Sequence, residues 1–203
     1  MSTKPFTENV IAIVWDFDKT LIKGSMQSPL FEHYGVDETT FWQETNNLAA
    51  YYAEQGYKHL VPDTIYLNHM LSYVKHGVFK GLNNAKLREL GKDVGKNPAF
   101  FPGVKQLFPA LKKFVAQQNA EHGVDVKVEH YVVSTGLQEM IEGCDIRHFF
   151  KDVWGCTFIE DIAPPGYFEQ KPWPTKSSGE ISQLGFVIDN TSKTRCIFEI
   201  NKG

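Results

Sequence analysis

Two carboxylates one residue apart, Asp16 and Asp18, close an unbroken apolar run, Ile11-Ala12-Ile13-Val14-Trp15, with Thr20 two positions further on. Such a run reads as a buried strand. Side chains alternate along an extended chain, so both acids can face one cavity while Phe17 turns into the core. In open α/β sheets the crevice beyond the carboxyl ends of the strands is where ligands bind. Of two acids in such a crevice, one can attack an electrophile while the other handles a proton. A hard cation fits between or beside them.

Two further stretches carry suitable chemistry. Ser134-Thr135-Gly136 follows the β-branched run Val126 to Val133, and an amphipathic pattern with Leu137, Met140, Ile141 and Cys144 on one side comes after it. Where a strand ending at Val133 gives way to a helix, a hydroxyl and successive backbone N–H groups form an anion cradle, although serine and threonine are also ordinary helix caps. Lys193, in Asn190-Thr191-Ser192-Lys193-Thr194-Arg195, lies after a short apolar run at a helix start. Its ammonium can offset the repulsion between Asp16 and an approaching dianion. Lys171 and Lys176 are rivals, placed in a proline-rich excursion where a fixed reach is harder to secure.

The run ending in Asp16-Phe17-Asp18 resembles the first motif of the haloacid dehalogenase superfamily. The stretch at Ser134 is similar to the second motif, an apolar strand ending in serine or threonine. The resemblance implies a Rossmann-like α/β fold with a parallel-sheet core and an α-helical cap inserted after the first strand. It implies that Asp16 attacks phosphorus to give an aspartyl-phosphate and that Asp18 acts as general acid and then base. An alkoxide leaving group needs that second acid and a halide does not, so Asp18 favours phosphoryl transfer over dehalogenation. By the same resemblance Ser134, Thr135, Gly136 and Lys193 hold the phosphoryl group. Asp16 and the Asp18 carbonyl would coordinate Mg²⁺, with waters completing the shell. The expected activity is hydrolysis of a small phosphorylated metabolite. Phosphotransfer between metabolites is the alternative within the same chemistry, and a catalytically silent phospho-ligand binding or interaction module is the alternative outside it. The superfamily's last motif, an apolar strand ending in acids, is expected after the lysine. Asp189 is the only substitute, so the chain reads as truncated before that motif.

The elements that must position these residues follow from periodicity. Residues 1–22 and 99–203 carry the α/β rhythm. Between them, residues 23–98 are helical: Phe41, Thr45, Leu48 and Tyr52 share one face, and Leu67, Met70, Leu71, Val74 and Val78 share another. An all-helical insert at this point is what a lid over the crevice would look like. Val104, Leu107, Phe108, Leu111, Phe114 and Val115 predict a helix in which Pro109 is a possible kink. Val153 to Ile159 and Gly185 to Ile188 predict strands, and Thr191 to Asn201 a helix. The 203 residues are 42% hydrophobic, enough for one sizeable core. A net charge of −3 offers no basic field for nucleic acid. No apolar run approaches membrane-spanning length. Cys144, Cys156 and Cys196 lack metal spacing and read as reduced thiols in a cytoplasmic protein.

Overall fold

The computed structural model describes residues 9–173 and 179–202. Lys176 therefore lies outside the described residues. A parallel sheet in the order β1-β2-β3 is built from β1 (Val10–Trp15), β2 (Lys127–Leu137) and β3 (Asp152–Cys156). Its register sets Trp15 beside Val132 and Val132 beside Val153, so β1 delivers its terminal acids next to the end of β2. A two-residue antiparallel ribbon, β4 (Phe158–Ile159) with β5 (Gln183–Leu184), stands apart. This corrects the single strand expected over 153–159 and moves the expected strand at 185–188 back to 183–184. Parallel pairing with β2 stops at Cys156, and Thr157 then exchanges hydrogen bonds with Gly185 and Phe186.

β1 departs from the buried strand that its composition predicts. Among the described residues it pairs only with β2, at one edge of the sheet, and Val10 and Ile11 are about half exposed. The burial deepens toward Trp15. Phe17, as expected, is fully buried.

Four helices follow β1: α1 (Ser28–Tyr34), α2 (Glu38–Glu54), α3 (Pro62–Lys75) and α4 (Asn84–Gly91). Their starts are written locally. Asp37 accepts the Thr40 amide at 2.8 Å, Asn83 accepts the Lys86 amide at 2.7 Å, and Pro62 opens α3, where its missing N–H costs nothing. The chain leaves and re-enters the sheet layer through two segments joined to each other. Lys23 N donates to Ala99 O, and Phe101 N donates to Leu21 O.

The helices do not stand clear of the sheet layer. One hydrophobic cluster runs from Phe31, Phe41 and Met70 through Phe17 and Met26 to Val132, Val133 and Met140. α4 lies directly on α6 (Gln138–Gly143) through paired glycines. A Cβ on Gly91 would fall 2.2 Å from Met140 O, and one on Gly143 would fall 1.9 Å from Arg88 O. No side chain fits between these backbones. The Arg88–Glu139 ion pair at 2.7 Å borders the same contact. α5 (Val104–His122) accommodates Pro109 within its length and ends at Gly123, whose φ of 64° suits glycine. α7 (Lys193–Asn201) packs across β1 and β2.

Candidate active site

The chain turns sharply after β1. Lys19 adopts φ 57°, uncommon for a residue with a Cβ, and the amides of Leu21 and Ile22 fold back onto Phe17 O. This loop presents Asp16 and Asp18 in contrasting surroundings. Asp16 is exposed, and its Oδ1 accepts the Phe17 amide at 2.9 Å. Lys193 Nζ reaches the same oxygen at 3.1 Å from the first turn of α7. Sequence reasoning placed this lysine at a helix start, and the fold brings it against Asp16 across 177 positions.

Asp18 is largely buried. Burial is the chief cause that raises its pKa to about 7, the Met26 amide on Oδ1 at 3.0 Å opposes the rise, and the Asp16 charge adds to it. A carboxyl in that state keeps a proton near neutrality and can donate it. Glu38, from the first turn of α2, contributes a smaller push in the same direction.

Ser134, Thr135 and Gly136 sit differently from expectation. β2 does not end at Val133 but continues to Leu137, with an irregularity in its pairing to β3 between Val133 and Leu137. The cradle is thus an irregular strand end, and helix α6 begins only at Gln138. Ser134 is 1% exposed, and its Oγ accepts the Gly136 amide at 3.0 Å. Ser134 caps no helix. A side chain at Gly136 would put its Cβ 2.2 Å from Met26 Cε, so glycine is required for the close approach. Met26 in turn bridges the two motifs: its amide holds Asp18, and its sulfur accepts the Leu137 amide at 3.1 Å.

Two groups escaped sequence reasoning. The Tyr66 hydroxyl on α3 donates to Thr135 O at 2.6 Å, and the Cys156 thiol approaches the same oxygen at 3.3 Å. Burial drives the Tyr66 pKa well above its ordinary value, so it remains a donor. Asp63, one turn earlier, is half-buried, and burial raises its pKa, with Asp189 adding to the rise and Lys193 opposing it. Periodicity marks α3 as having an inner face and carries no sign of what that face meets. Asp189 is engaged as a turn residue, its Oδ1 accepting the Ser192 amide at 2.6 Å.

No family model matches the chain. An uncharacterised protein of Borreliella burgdorferi is 38% identical over 197 residues, covering 97% of this chain and 66% of the relative's length. Among solved structures, a haloacid dehalogenase family hydrolase from Salmonella enterica serovar Typhi superposes with a TM-score of 0.59 at 14% identity, covering 98% of this chain and 53% of that one. The chain has the haloacid dehalogenase fold. A phosphoserine phosphohydrolase-like protein from Francisella tularensis has a TM-score of 0.48 at 15% identity, over 97% of this chain and 73% of its own. The haloacid dehalogenase fold accounts for the parallel sheet and the mixture of strands and helices. No helix among the described residues is long and apolar enough to cross a membrane.

Proposed function

We propose that this protein is a phosphomonoester hydrolase working through an aspartyl-phosphate. The observation that carries the reading is the division of labour between the two acids. Asp16 is exposed and paired with an ammonium at 3.1 Å, while Asp18, two residues on, is largely buried and pushed up to about 7. Environments that set two neighbouring carboxyls apart assign one to attack and the other to proton transfer. A module that only bound phosphate would have no use for that contrast.

Both close contacts of Asp16 fall on Oδ1, which leaves Oδ2 to attack phosphorus. The Oδ2–P bond forms as the ester P–O bond breaks, and Asp18 gives its proton to the departing oxygen. Asp18, now ionised, takes a proton from water as that water attacks phosphorus. The P–Oδ2 bond then breaks and inorganic phosphate is released. Lys193 neutralises the phosphoryl oxygens, and Ser134 can add one hydrogen bond. Positioning and charge are most of what phosphoryl transfer requires of a protein.

The donors suit magnesium: an exposed carboxylate at Asp16 and the backbone carbonyl of Asp18 are hard oxygens. Magnesium keeps several of its waters, so two protein donors are enough to hold it. The ion would supply charge neutralisation at the phosphoryl group. Replacing Asp16 with Asn tests the reading. Turnover of p-nitrophenyl phosphate should fall at least 100-fold with the fold retained, by the size of loss usual for a covalent nucleophile. A variant keeping more than about a tenth of the activity would overturn the assignment.

A further inference from the structure

One peptide unit at the end of β2 is held from both sides. A trans peptide is planar, and its C=O and N–H point in opposite directions. In the unit that joins Thr135 to Gly136, the N–H donates to Ser134 Oγ at 3.0 Å. Its C=O accepts the Tyr66 hydroxyl at 2.6 Å, and the Cys156 thiol approaches the same oxygen at 3.3 Å. Tyr66 is buried on α3, among the helices that follow β1, and lies 69 positions from the carbonyl it holds. Its hydroxyl is the stronger of the two donors, since a thiol donates weakly. The Cys156 sulfur is also shared with Ile188, whose amide donates to it at 3.3 Å.

These contacts bear on Ser134. Rotating a rigid peptide unit moves both of its ends, so a donor on Thr135 O fixes where the Gly136 N–H points. That N–H occupies one lone pair of Ser134 Oγ and turns the serine's own proton elsewhere. The next amide is committed as well, Leu137 N donating to Met26 Sδ at 3.1 Å. What Ser134 keeps to offer an anion is its O–H. From the Tyr66 hydroxyl through the peptide to the serine hydroxyl, every donor points the same way, and hydrogen bonds in such a series strengthen one another.

We propose that Tyr66 is a positioning residue for phosphoryl binding: its hydroxyl, acting through the Thr135–Gly136 peptide, sets the orientation in which Ser134 donates to a phosphoryl oxygen. This rests on the reading of Ser134 and Lys193 as phosphoryl-binding groups. Tyr66 acts through Ser134 and needs no contact with the anion. The helices between β1 and α5 thereby shape the anion site without lending it a ligand, and the Gly136 N–H stays on Ser134 when phosphate binds.

The test measures the Kd of inorganic phosphate by calorimetry in wild type, Tyr66→Phe, Ser134→Ala and the double variant. Tyr66→Phe keeps the ring, and Thr135 O keeps the Cys156 thiol, so the fold should be retained. Kd should rise about 3- to 10-fold in Tyr66→Phe, the range of one net hydrogen bond. In the Ser134→Ala background the same substitution should leave Kd unchanged, because the serine through which it acts is gone. A purely structural effect of the lost hydroxyl would weaken both backgrounds equally, and equal losses overturn the proposal. Tyr66→Phe that binds phosphate as wild type does, while Ser134→Ala binds it less well, overturns it too; both results leave the hydrolase reading standing. Where Tyr66→Phe fails to fold, the Gly136 amide proton of the wild-type protein decides by NMR. It should shift little on addition of phosphate, and a large downfield move, as the amide leaves Ser134 for the anion, overturns the proposal. If wild type binds no phosphate, or if Ser134→Ala and Lys193→Ala bind it as wild type does, the reading beneath falls and the proposal with it.

Discussion

Replacing Gly143 with Ala should unsettle the molecule out of proportion to one methyl group. The added Cβ would lie 1.9 Å from Arg88 O, where ordinary contact begins at 3.4 Å. The obstacle is backbone on both sides, so no rotamer change relieves it, and α4 and α6 must part by about 1.5 Å. Overpacking of this kind costs ~1–3 kcal/mol, and the absence of a side-chain escape puts this case near the upper end. Exchanging glycine for alanine in a helix returns at most ~1 kcal/mol, and less at the last residue of α6. The net loss is about 2 kcal/mol, equivalent to a fall in Tm of about 4–8 °C for a chain of this size. Urea denaturation with linear extrapolation measures the loss, and an unchanged m-value would show that only the native packing changed. α6 begins at Gln138, directly after the strand end that carries Ser134 and Gly136. A shift near 1 Å there should therefore also lower kcat/KM by ~100-fold. A variant as stable as wild type would refute the argument that these glycines hold α4 against α6.

Asp18→Asn should cost far more turnover on alkyl phosphates than on p-nitrophenyl phosphate, because a good leaving group needs little protonation. Equal losses on the two esters would remove Asp18 from the general-acid role. Lys193→Ala should weaken inorganic phosphate binding more than Ser134→Ala, read by calorimetry, since a charge-assisted contact outweighs a neutral one. The reverse order would displace Lys193 from the site. Ser134→Ala also strips the Gly136 amide of its buried acceptor, so its Tm should fall where that of Lys193→Ala need not. His130 is buried, its Nδ1 accepts the Trp15 indole N–H at 3.1 Å, and burial lowers its pKa below the ordinary 6.5. The unfolded chain therefore takes up a proton that the folded chain refuses as pH falls through about 6.5, and stability declines on the acid side. The urea midpoint of His130→Gln should fall less than that of wild type between pH 7.5 and 5.5; parallel declines would show that His130 is not responsible.

What the sequence determined by itself is local. The apolar run before Asp16-Phe17-Asp18 was legible as a strand with two acids just beyond its end, and Phe17 between them as a core residue, because apolar side chains leave water wherever the fold allows. Two of the four helices after it, α2 and α3, were legible in their apolar faces; the starts at Asp37, Pro62 and Asn83 are also local, each set by a capping side chain or a proline. Lys193 was legible as a residue at a helix start. What its ammonium meets was decided by α7 packing across β1 and β2, which brings it to Asp16.

Tertiary structure alone decided the rest. β1 reads as buried because its residues are apolar, yet its first residues are exposed, since burial of a strand depends on which neighbours flank it. β2 runs through Ser134 to Leu137 because pairing with β3 resumes at Cys156, and propensity at Ser-Thr-Gly carries no record of that partner. Gly91 and Gly143 look like punctuation in the sequence, but each is the space into which the other helix's backbone fits. Tyr66 and Asp63 belong to a helix face whose period says only that it turns inward. That it turns toward Thr135, 69 residues away, follows from how the helices close over the sheet, and such closure is set by shape and contact between distant segments.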